Sequence, residues 1–481
     1  MVPVKSASRH VLHYAFYPGN IAIVGASDQP LSSGYDYLRH LLDYGFKGEI
    51  YPVNPKKESI LGLKAYPGLK DIPGDVDFVI CCVSTDRVLP LLNECASKNV
   101  KIVHLFTARL SETGRPQATE LEGQIQARAA QLGVSLIGPN CMGIYSPESG
   151  VSFGYGLPSD PGNIGVIFQS GGAATILIQN GALQGLRFSK AVSYGNALQL
   201  DESDILDYMA ADAETGIIAA YFEGVKNGKK FISSIKAAAR KKPVIAIKGG
   251  RSRSGTRAVA SHTAAMAGSQ DLWQSAFQQA GVIQVRDIDE MVNLLSLFNS
   301  LPPIRGRRVG IIGGGGGKGI IAADLAEEAG LSVPPLSDVI RNQLKTIVPA
   351  LWDWLGNPVD LSIWGDDALK AAEVHRLLME SPDFDCIINQ VSDDNPLQDD
   401  WWVSIIEMDV DNIIKAFKQK RKPVIVVLSG AKPGFTDLEN IRWRTISEQR
   451  SRLIAEKVPT FDTVSEAVIA LGKFINYWQK A

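Results

Sequence analysis

The chain of 481 residues has few cysteines: Cys81, Cys82, Cys95, Cys141 and Cys386, with no Cys-x-x-Cys pair among them. A set so sparse and irregular argues against a disulfide framework. It fits a reduced, cytoplasmic protein, and no metal centre is expected. Charge of one sign is also lacking, since 49 Lys and Arg meet 51 Asp and Glu for a net charge of −2. That balance, without long like-charged runs, excludes nucleic acid as an expected partner and excludes a charged tail. No apolar run is long enough to span a bilayer, and Met1–His10 contains no signal-peptide core. A membrane is therefore not an expected partner either.

What remains is a globular profile, 45% hydrophobic and 21% charged, long enough for roughly two to four domains. Short β-branched runs alternate with longer amphipathic stretches. The pattern predicts an α/β protein of three Rossmann-like or flavodoxin-like, doubly wound blocks, with parallel sheets covered by helices on both faces. Boundaries are placed at 1–147, 148–302 and 303–481, with Leu301-Pro-Pro-Ile-Arg-Gly306 as linker. Expected strands include Ile21–Val24, Glu49–Val53, Phe78–Val83, Lys101–Phe106 and Ser135–Ile137 in the first block. Ile164–Phe168, Lys190–Ser193, Ile217–Phe222 and Val244–Ile247 follow in the second, then Arg308–Ile312, Cys386–Asn389 and Val424–Leu428. A weak repeat relates Lys241–Gly250 to Arg421–Gly430, each a strand begun through proline, which a first strand position tolerates. It suggests that the second and third blocks share one architecture. Only the second carries a histidine in the segment that follows.

Three glycine-rich segments stand at strand ends. Ile21–Val24 leads into Gly25-Ala-Ser-Asp-Gln-Pro-Leu-Ser-Ser-Gly34, where a doubly wound sheet binds a nucleotide, although Gly-x-Gly-x-x-Gly is absent. The second strand ends in Asn54-Pro-Lys-Lys57 rather than an acidic residue, which suits a ribose phosphate, as in CoA or NADP. In the second block Ser170 is a good N-cap, and Gly171 and Gly172 leave amide groups uncovered for a phosphate. The third segment, Gly313–Gly319, fails the Walker pattern at Ile312 and Gly319. It reads as a tight turn where a backbone or ligand comes close.

After strand Val244–Ile247 the chain enters a loop rich in glycine and arginine. There His262 sits among small residues in Ser261-His-Thr-Ala-Ala265, downstream of Arg251, Arg253 and Arg257. Small neighbours admit another surface to the imidazole, and the arginines attract an anion. That combination suits a histidine carrying a phosphoryl group between sites.

Together these segments resemble the NDP-forming acyl-CoA synthetases, relatives of succinyl-CoA synthetase, over nearly the whole chain. The resemblance rests on Ile21–Ser27, Gly48–Lys56 and Ile137-Gly-Pro-Asn-Cys-Met-Gly143 for a CoA-binding domain. Gln169–Gly172, Tyr221–Lys226 and Ser261–Gly268 support a ligase domain, and Gly356-Asn-Pro-Val-Asp-Leu361 a second ligase-type domain. It implies a phosphohistidine at His262, oriented by the Glu223 carboxylate. It also implies CoA over Gly25, Ser27, Ser33 and Lys56, with Ser84 at the next strand end. Two departures matter. Val83-Ser-Thr-Asp86 replaces the family's Pro-Ala, and no ATP-grasp region follows. The resemblance therefore implies an α-type subunit in an oligomer. CoA and an acyl-CoA or carboxylate would be its substrates, and a separate ATP-grasp β subunit would hold Mg–NDP or Mg–NTP. A nucleotide-independent CoA transferase of the same fold is the alternative. A non-catalytic CoA-binding protein is a third, disfavoured because binding alone requires neither Glu223 nor His262. Trp352, Trp354 and Trp364 are candidates for an acyl pocket, or for core or interface.

Overall fold

The computed structural model describes residues 10–263, 269–361, 370–391, 393, 397–419, 422–428 and 439–480, with the backbone alone at 260–263. These residues form two compact units, 1–291 and 292–481.

The first unit contains two sheets. Strands β1 (Asn20–Val24), β2 (Glu49–Val53), β5 (Phe78–Cys81), β6 (Ile102–Leu105) and β7 (Ser135–Ile137) make a parallel sheet of order β2-β1-β5-β6-β7. A small hairpin of β3 (Ser59–Ile60) and β4 (Leu63–Lys64) lies between β2 and β5 in the chain. Burial explains the strands: every residue of β5 and β6 is buried, as expected where helices cover both faces of a parallel sheet.

The second sheet contains β8 (Gly143–Tyr145), β9 (Ile164–Phe168), β10 (Phe188–Ser193), β11 (Ile217–Phe222), β12 (Val244–Lys248) and β13 (Ile283–Val285). Its order is β13-β12-β11-β9-β10-β8. All neighbours are parallel except β8, which pairs antiparallel with β10, Ala191 opposite Tyr145. Gly143–Tyr145 precedes the expected boundary at 147 yet hydrogen-bonds to the second sheet.

The second unit holds β14 (Val309–Gly313), β15 (Cys386–Gln390), β16 (Val424–Val427) and β17 (Thr460–Phe461), parallel in the order β14-β15-β16-β17. Beneath one face lies an apolar core that includes Trp402, Ile406, Leu378, Ile387 and Val426. The run β14-β15-β16-β17 repeats the run β9-β11-β12-β13, and the repeated sequences fall on β12 and β16. Each is preceded by a lysine with the same task. Lys242 Nζ donates to the Met209 carbonyl (2.7 Å) and to that of Asp212, at the end of helix Glu202–Ala211. Lys422 Nζ donates to the Ser381 carbonyl (2.6 Å) and to that of Phe384, just past helix Ala371–Glu380. A lysine there suits the negative end of a helix dipole.

Gly313 to Gly315 all have left-handed φ, and the helix Gly315–Glu328 begins there. A Cβ on Gly313 would stand 2.1 Å from the Gln390 carbonyl oxygen, so this turn is shaped by the close approach of β15. Trp352 is covered by Lys345 and Arg341, 4.2 and 5.6 Å from its ring centre. Trp354 is exposed, and Trp364 lies outside the described residues.

Candidate functional site

Ligands of open parallel sheets gather at the carboxy ends of the strands. At that edge β1 turns at Gly25, whose φ is 91°. The next helix, Ser33–Asp43, passes so close that a Cβ on Gly34 would meet the Gly25 carbonyl oxygen at 2.0 Å. The turn opens into an outer cleft of about 390 Å³, lined by Gly25, Asn54, Lys56 and Arg87 among others. Asn54 fastens its floor: Nδ2 donates to the Ala26 carbonyl (2.8 Å), and Oδ1 accepts from the Lys56 N–H (2.9 Å). Lys57 pairs with Asp28 at 2.7 Å. Lys56 and Arg87 line the cleft together with Glu94, whose carboxylate accepts from the Leu69 N–H at 3.0 Å.

An inner cleft of about 480 Å³ adjoins it, and Val83 lines both. Ser33, Ser84, Ser170, Gly171 and Gly172 all line the inner cleft. Two sets of residues singled out in different blocks thus meet on one surface. Ser27 lines neither cleft; its Oγ accepts from the Gln29 N–H at 3.0 Å. Ser170 caps the helix Gly171–Leu183, its side chain accepting from the Ala173 N–H at 3.4 Å. The amides of Gly171 and Gly172 stand at the positive end of that helix.

Asn140, Cys141 and Met142 also line the cleft, and hydrogen bonds tie the loop Gly138–Met142 to the end of β10 and the residues just after it. Leu198 N–H donates to the Gly138 carbonyl (2.8 Å), Asn196 N–H to that of Pro139 (3.0 Å), and Met142 N–H to Ser193 Oγ (3.1 Å). Met142 packs so tightly that a Cβ on Gly171 would meet its Cγ at 2.2 Å. Cys82 and Cys141 line the cleft, and burial pushes both thiols well above the ordinary range, so both stay protonated.

Glu223 is buried directly behind the cleft. Gln169, a lining residue, receives the Glu223 N–H on Oε1 at 2.8 Å and the Gly224 N–H at 3.3 Å. Lys248 Nζ donates to the Glu223 carbonyl oxygen at 2.8 Å. Burial drives the Lys248 ammonium down to about 8, against the pull of the Glu223 charge. Burial, then Glu223, raises Tyr221 to about 12.

His262 lies near the end of a helix, Arg253–Thr263, and not in the loop expected from the sequence. The reason is local. Ser252 Oγ accepts from the Gly255 N–H at 3.0 Å, and the Ser252 carbonyl accepts from Thr256 N–H at 2.8 Å, so a capped first turn forms despite the glycine. This helix packs beside the turn Ser111–Thr113, next to Arg109 of the inner cleft. The side chain of His262 lies outside the described residues, and with it the expected contact to Glu223. Of the three arginines, Arg251 donates to the Arg286 carbonyl (2.8 Å) and lines a separate groove of about 1030 Å³ with Tyr221 and Lys248. Arg257 donates to Ser254 Oγ at 3.1 Å. Sequence reasoning missed Arg87, Arg109 and Asn140. A signal existed only for Asn140, inside the Gly-Pro-Asn-Cys-Met-Gly segment. Among the described residues no group of His, Cys, Asp and Glu could hold a metal ion, and no helix is long and apolar enough to cross a membrane.

Residues 19–147 match the CoA binding domain family, and residues 161–298 match the succinyl-CoA ligase like flavodoxin domain family. The chain is 37% identical over 380 residues to the α subunit of acetate–CoA ligase (ADP-forming) II of Pyrococcus furiosus, covering 79% of this chain and 82% of that subunit. It is 31% identical over 471 residues to acetate–CoA ligase (ADP-forming) II of Archaeoglobus fulgidus. That match covers 96% of this chain and only 66% of the longer relative. Among solved structures, the dinucleotide forming acetyl-coenzyme A synthetase 1 of Ca. Korarchaeum cryptofilum, in complex with phosphate and ADP, superposes with a TM-score of 0.81. The identity is 30%, and coverage is 97% of this chain and 96% of that one. On these matches, the chain belongs to the NDP-forming (ADP-forming) acyl-CoA synthetase family, as an α-type chain.

Proposed function

We propose that this chain is the CoA-binding and phosphoryl-carrying α-type subunit of an acyl-CoA synthetase. The reaction is acyl-CoA + NDP + phosphate ⇌ carboxylate + CoA + NTP. Phosphate attacks the thioester carbonyl, the C–S bond breaks, and CoA leaves as its thiol. His262 takes the phosphoryl group from the resulting acyl phosphate and releases the carboxylate. Glu223 orients the imidazole, and the phosphohistidine delivers its phosphoryl group to an NDP held with Mg by a separate ATP-grasp β subunit. Residues 1–147 bind CoA, 148–302 carry the histidine, and 303–481 form the second ligase-type domain, within a cytoplasmic oligomer.

The observation that carries this reading is the inner cleft. It joins Ser33 and Ser84, beside the cationic outer cleft, to the capped helix start at Ser170–Gly172. A CoA whose phosphates lie near Lys56 and Gly25 would lead its thiol past Val83 toward a phosphate at Gly171. Ser27 remains in the proposed site through its turn, not through the cleft wall.

Calorimetry on the isolated chain should show binding of CoA and none of Mg–ATP. Addition of an ATP-grasp chain should give ADP- and phosphate-dependent cleavage of acyl-CoA, lost in His262→Ala while CoA affinity is kept. Nucleotide formation by His262→Ala would overturn the carrier assignment. Exchange of CoA between an acyl-CoA and a free carboxylate without nucleotide, surviving the loss of His262, would make the protein a transferase instead.

A further inference from the structure

Arg109 is the one charged residue lining the inner cleft among the described residues. It is exposed, and its guanidinium makes no hydrogen bond or ion pair with any described residue. Its backbone is left-handed, with φ of 72°, a conformation costly for any residue that has a Cβ. Glu112 enforces it. That carboxylate accepts from the Arg109 N–H (2.5 Å), the Leu110 N–H (3.1 Å) and Asn196 Nδ2 (2.8 Å). With three N–H donors to satisfy it, Glu112 holds the Arg109 backbone and leaves the guanidinium unneutralised. Asn140 in the same cleft is also left-handed at φ 57°, as is Ala197 at φ 50°, beside Asn196. Strain gathered at and beside one cleft, and fixed by a part-buried hydrogen-bond network, is the mark of a site whose geometry matters.

We infer that Arg109 is the anion clamp of this cleft, binding the phosphate that attacks the thioester and the acyl phosphate that results. This rests on the reaction proposed above, in which every small reactant reaching the inner cleft is an anion. The helix start at Gly171 offers N–H groups to a phosphate from one side. The loop after β6 brings a planar, two-pronged cation from another, and a guanidinium matches paired phosphate oxygens as an ammonium does not. Among the described residues, none takes up this charge.

The test uses the chain alone, with acetyl-CoA and arsenate in place of phosphate. Arsenate attacks the thioester, CoA leaves, and the acyl arsenate hydrolyses without nucleotide or partner. Release of the CoA thiol reads the rate. Arg109→Gln and Arg109→Gly should raise the arsenate KM by about ten- to a hundredfold, the loss expected for a charge-assisted pair, with CoA affinity unchanged. Arg109→Lys should fall between them and the wild type. The glycine variant relieves the backbone strain, so an unchanged or raised melting temperature together with lost turnover separates anion binding from a structural role. Guanidinium ion at millimolar level should restore part of its rate. Wild-type arsenate KM in Arg109→Gly, with no response to guanidinium, would overturn the clamp. Weakened CoA binding in both variants would also overturn it, by placing Arg109 in the CoA site. A wild-type chain that binds CoA yet releases no thiol would instead sink the proposed reaction, and the clamp with it.

Discussion

Gly34→Ala tests how the CoA cleft is built. The added methyl would lie 2.0 Å from the Gly25 carbonyl oxygen, 2.8 Å from the Gly25 carbonyl carbon and 3.0 Å from the Ala26 Cα. All three are backbone atoms, so no side-chain rotation relieves the clash. Either the helix Ser33–Asp43 or the Gly25 turn must withdraw by more than an ångström to regain ordinary contact. Two effects compete in stability. Alanine gains about 0.8–1 kcal/mol over glycine in a helix, whereas overpacking costs about 1–3 kcal/mol. The net change is a loss of up to about 2 kcal/mol, modest and easily confused with other causes. CoA affinity is the sharper readout, because the same turn must present its amides to a phosphate. Loss of one charge-assisted hydrogen bond costs about 1.5–3 kcal/mol, or roughly ten- to a hundredfold in Kd. Calorimetry with CoA and urea denaturation would be run beside Gly123→Ala. Gly123 sits within helix Pro116–Leu132 with no atom inside 4 Å of an added Cβ, so that variant should be stabilised and bind CoA normally. Wild-type CoA affinity in Gly34→Ala would refute the placement of CoA over this turn.

Two further outcomes are expected. Glu223→Gln keeps the shape of the buried side chain but removes the charge that steadies a cationic imidazole. Phosphorylation of His262 should slow about ten- to a hundredfold, and wild-type phosphorylation kinetics would make Glu223 a bystander. His104 is buried with Nε2 3.0 Å from the Cys141 carbonyl oxygen, and burial lowers it to about 4. The unfolded chain therefore binds a proton near pH 6.5 that the folded chain refuses. This group's stabilisation is full above pH 6.5 and falls as pH drops toward 4, by about 2 kcal/mol at pH 5. His104→Gln should flatten that acid limb in urea titrations at stepped pH; an unchanged slope would show that His104 is not its source.

The sheets were legible because their strands are buried on both faces, and such strands read as unbroken apolar runs. β5, β9 and β12 are of this kind. Of the strands of two or three residues, which carry no period, β3, β4, β8, β13 and β17 escaped notice and only β7 was expected. The helix holding His262 was read as a loop because its glycine and arginines obscured a capping serine at 252. In the candidate site, Ser170 and its glycines were visible through local chemistry, since a cap needs only its own neighbours. Arg87 and Arg109 were invisible for the opposite reason. Each becomes conspicuous only when tertiary folding places it in a cleft, and nothing next to either in sequence marks it.

Strand β8 has a consequence for anyone dividing this protein. Its three residues follow directly from the loop Gly138–Met142 and close the edge of the second sheet on β10. A fragment stopped at residue 147 would carry β8 away from its partner. The remaining piece would expose the open flank of β10, which is buried along its whole length, inviting strand addition and precipitation. A cut before Gly143 keeps that flank covered but severs the wall of the inner cleft from the sheet that frames it. Neither half would keep both its solubility and its share of the cleft. A piece that keeps the cleft should therefore hold both sheets of the first unit together and end beyond the helix Ile288–Ser300, not inside it.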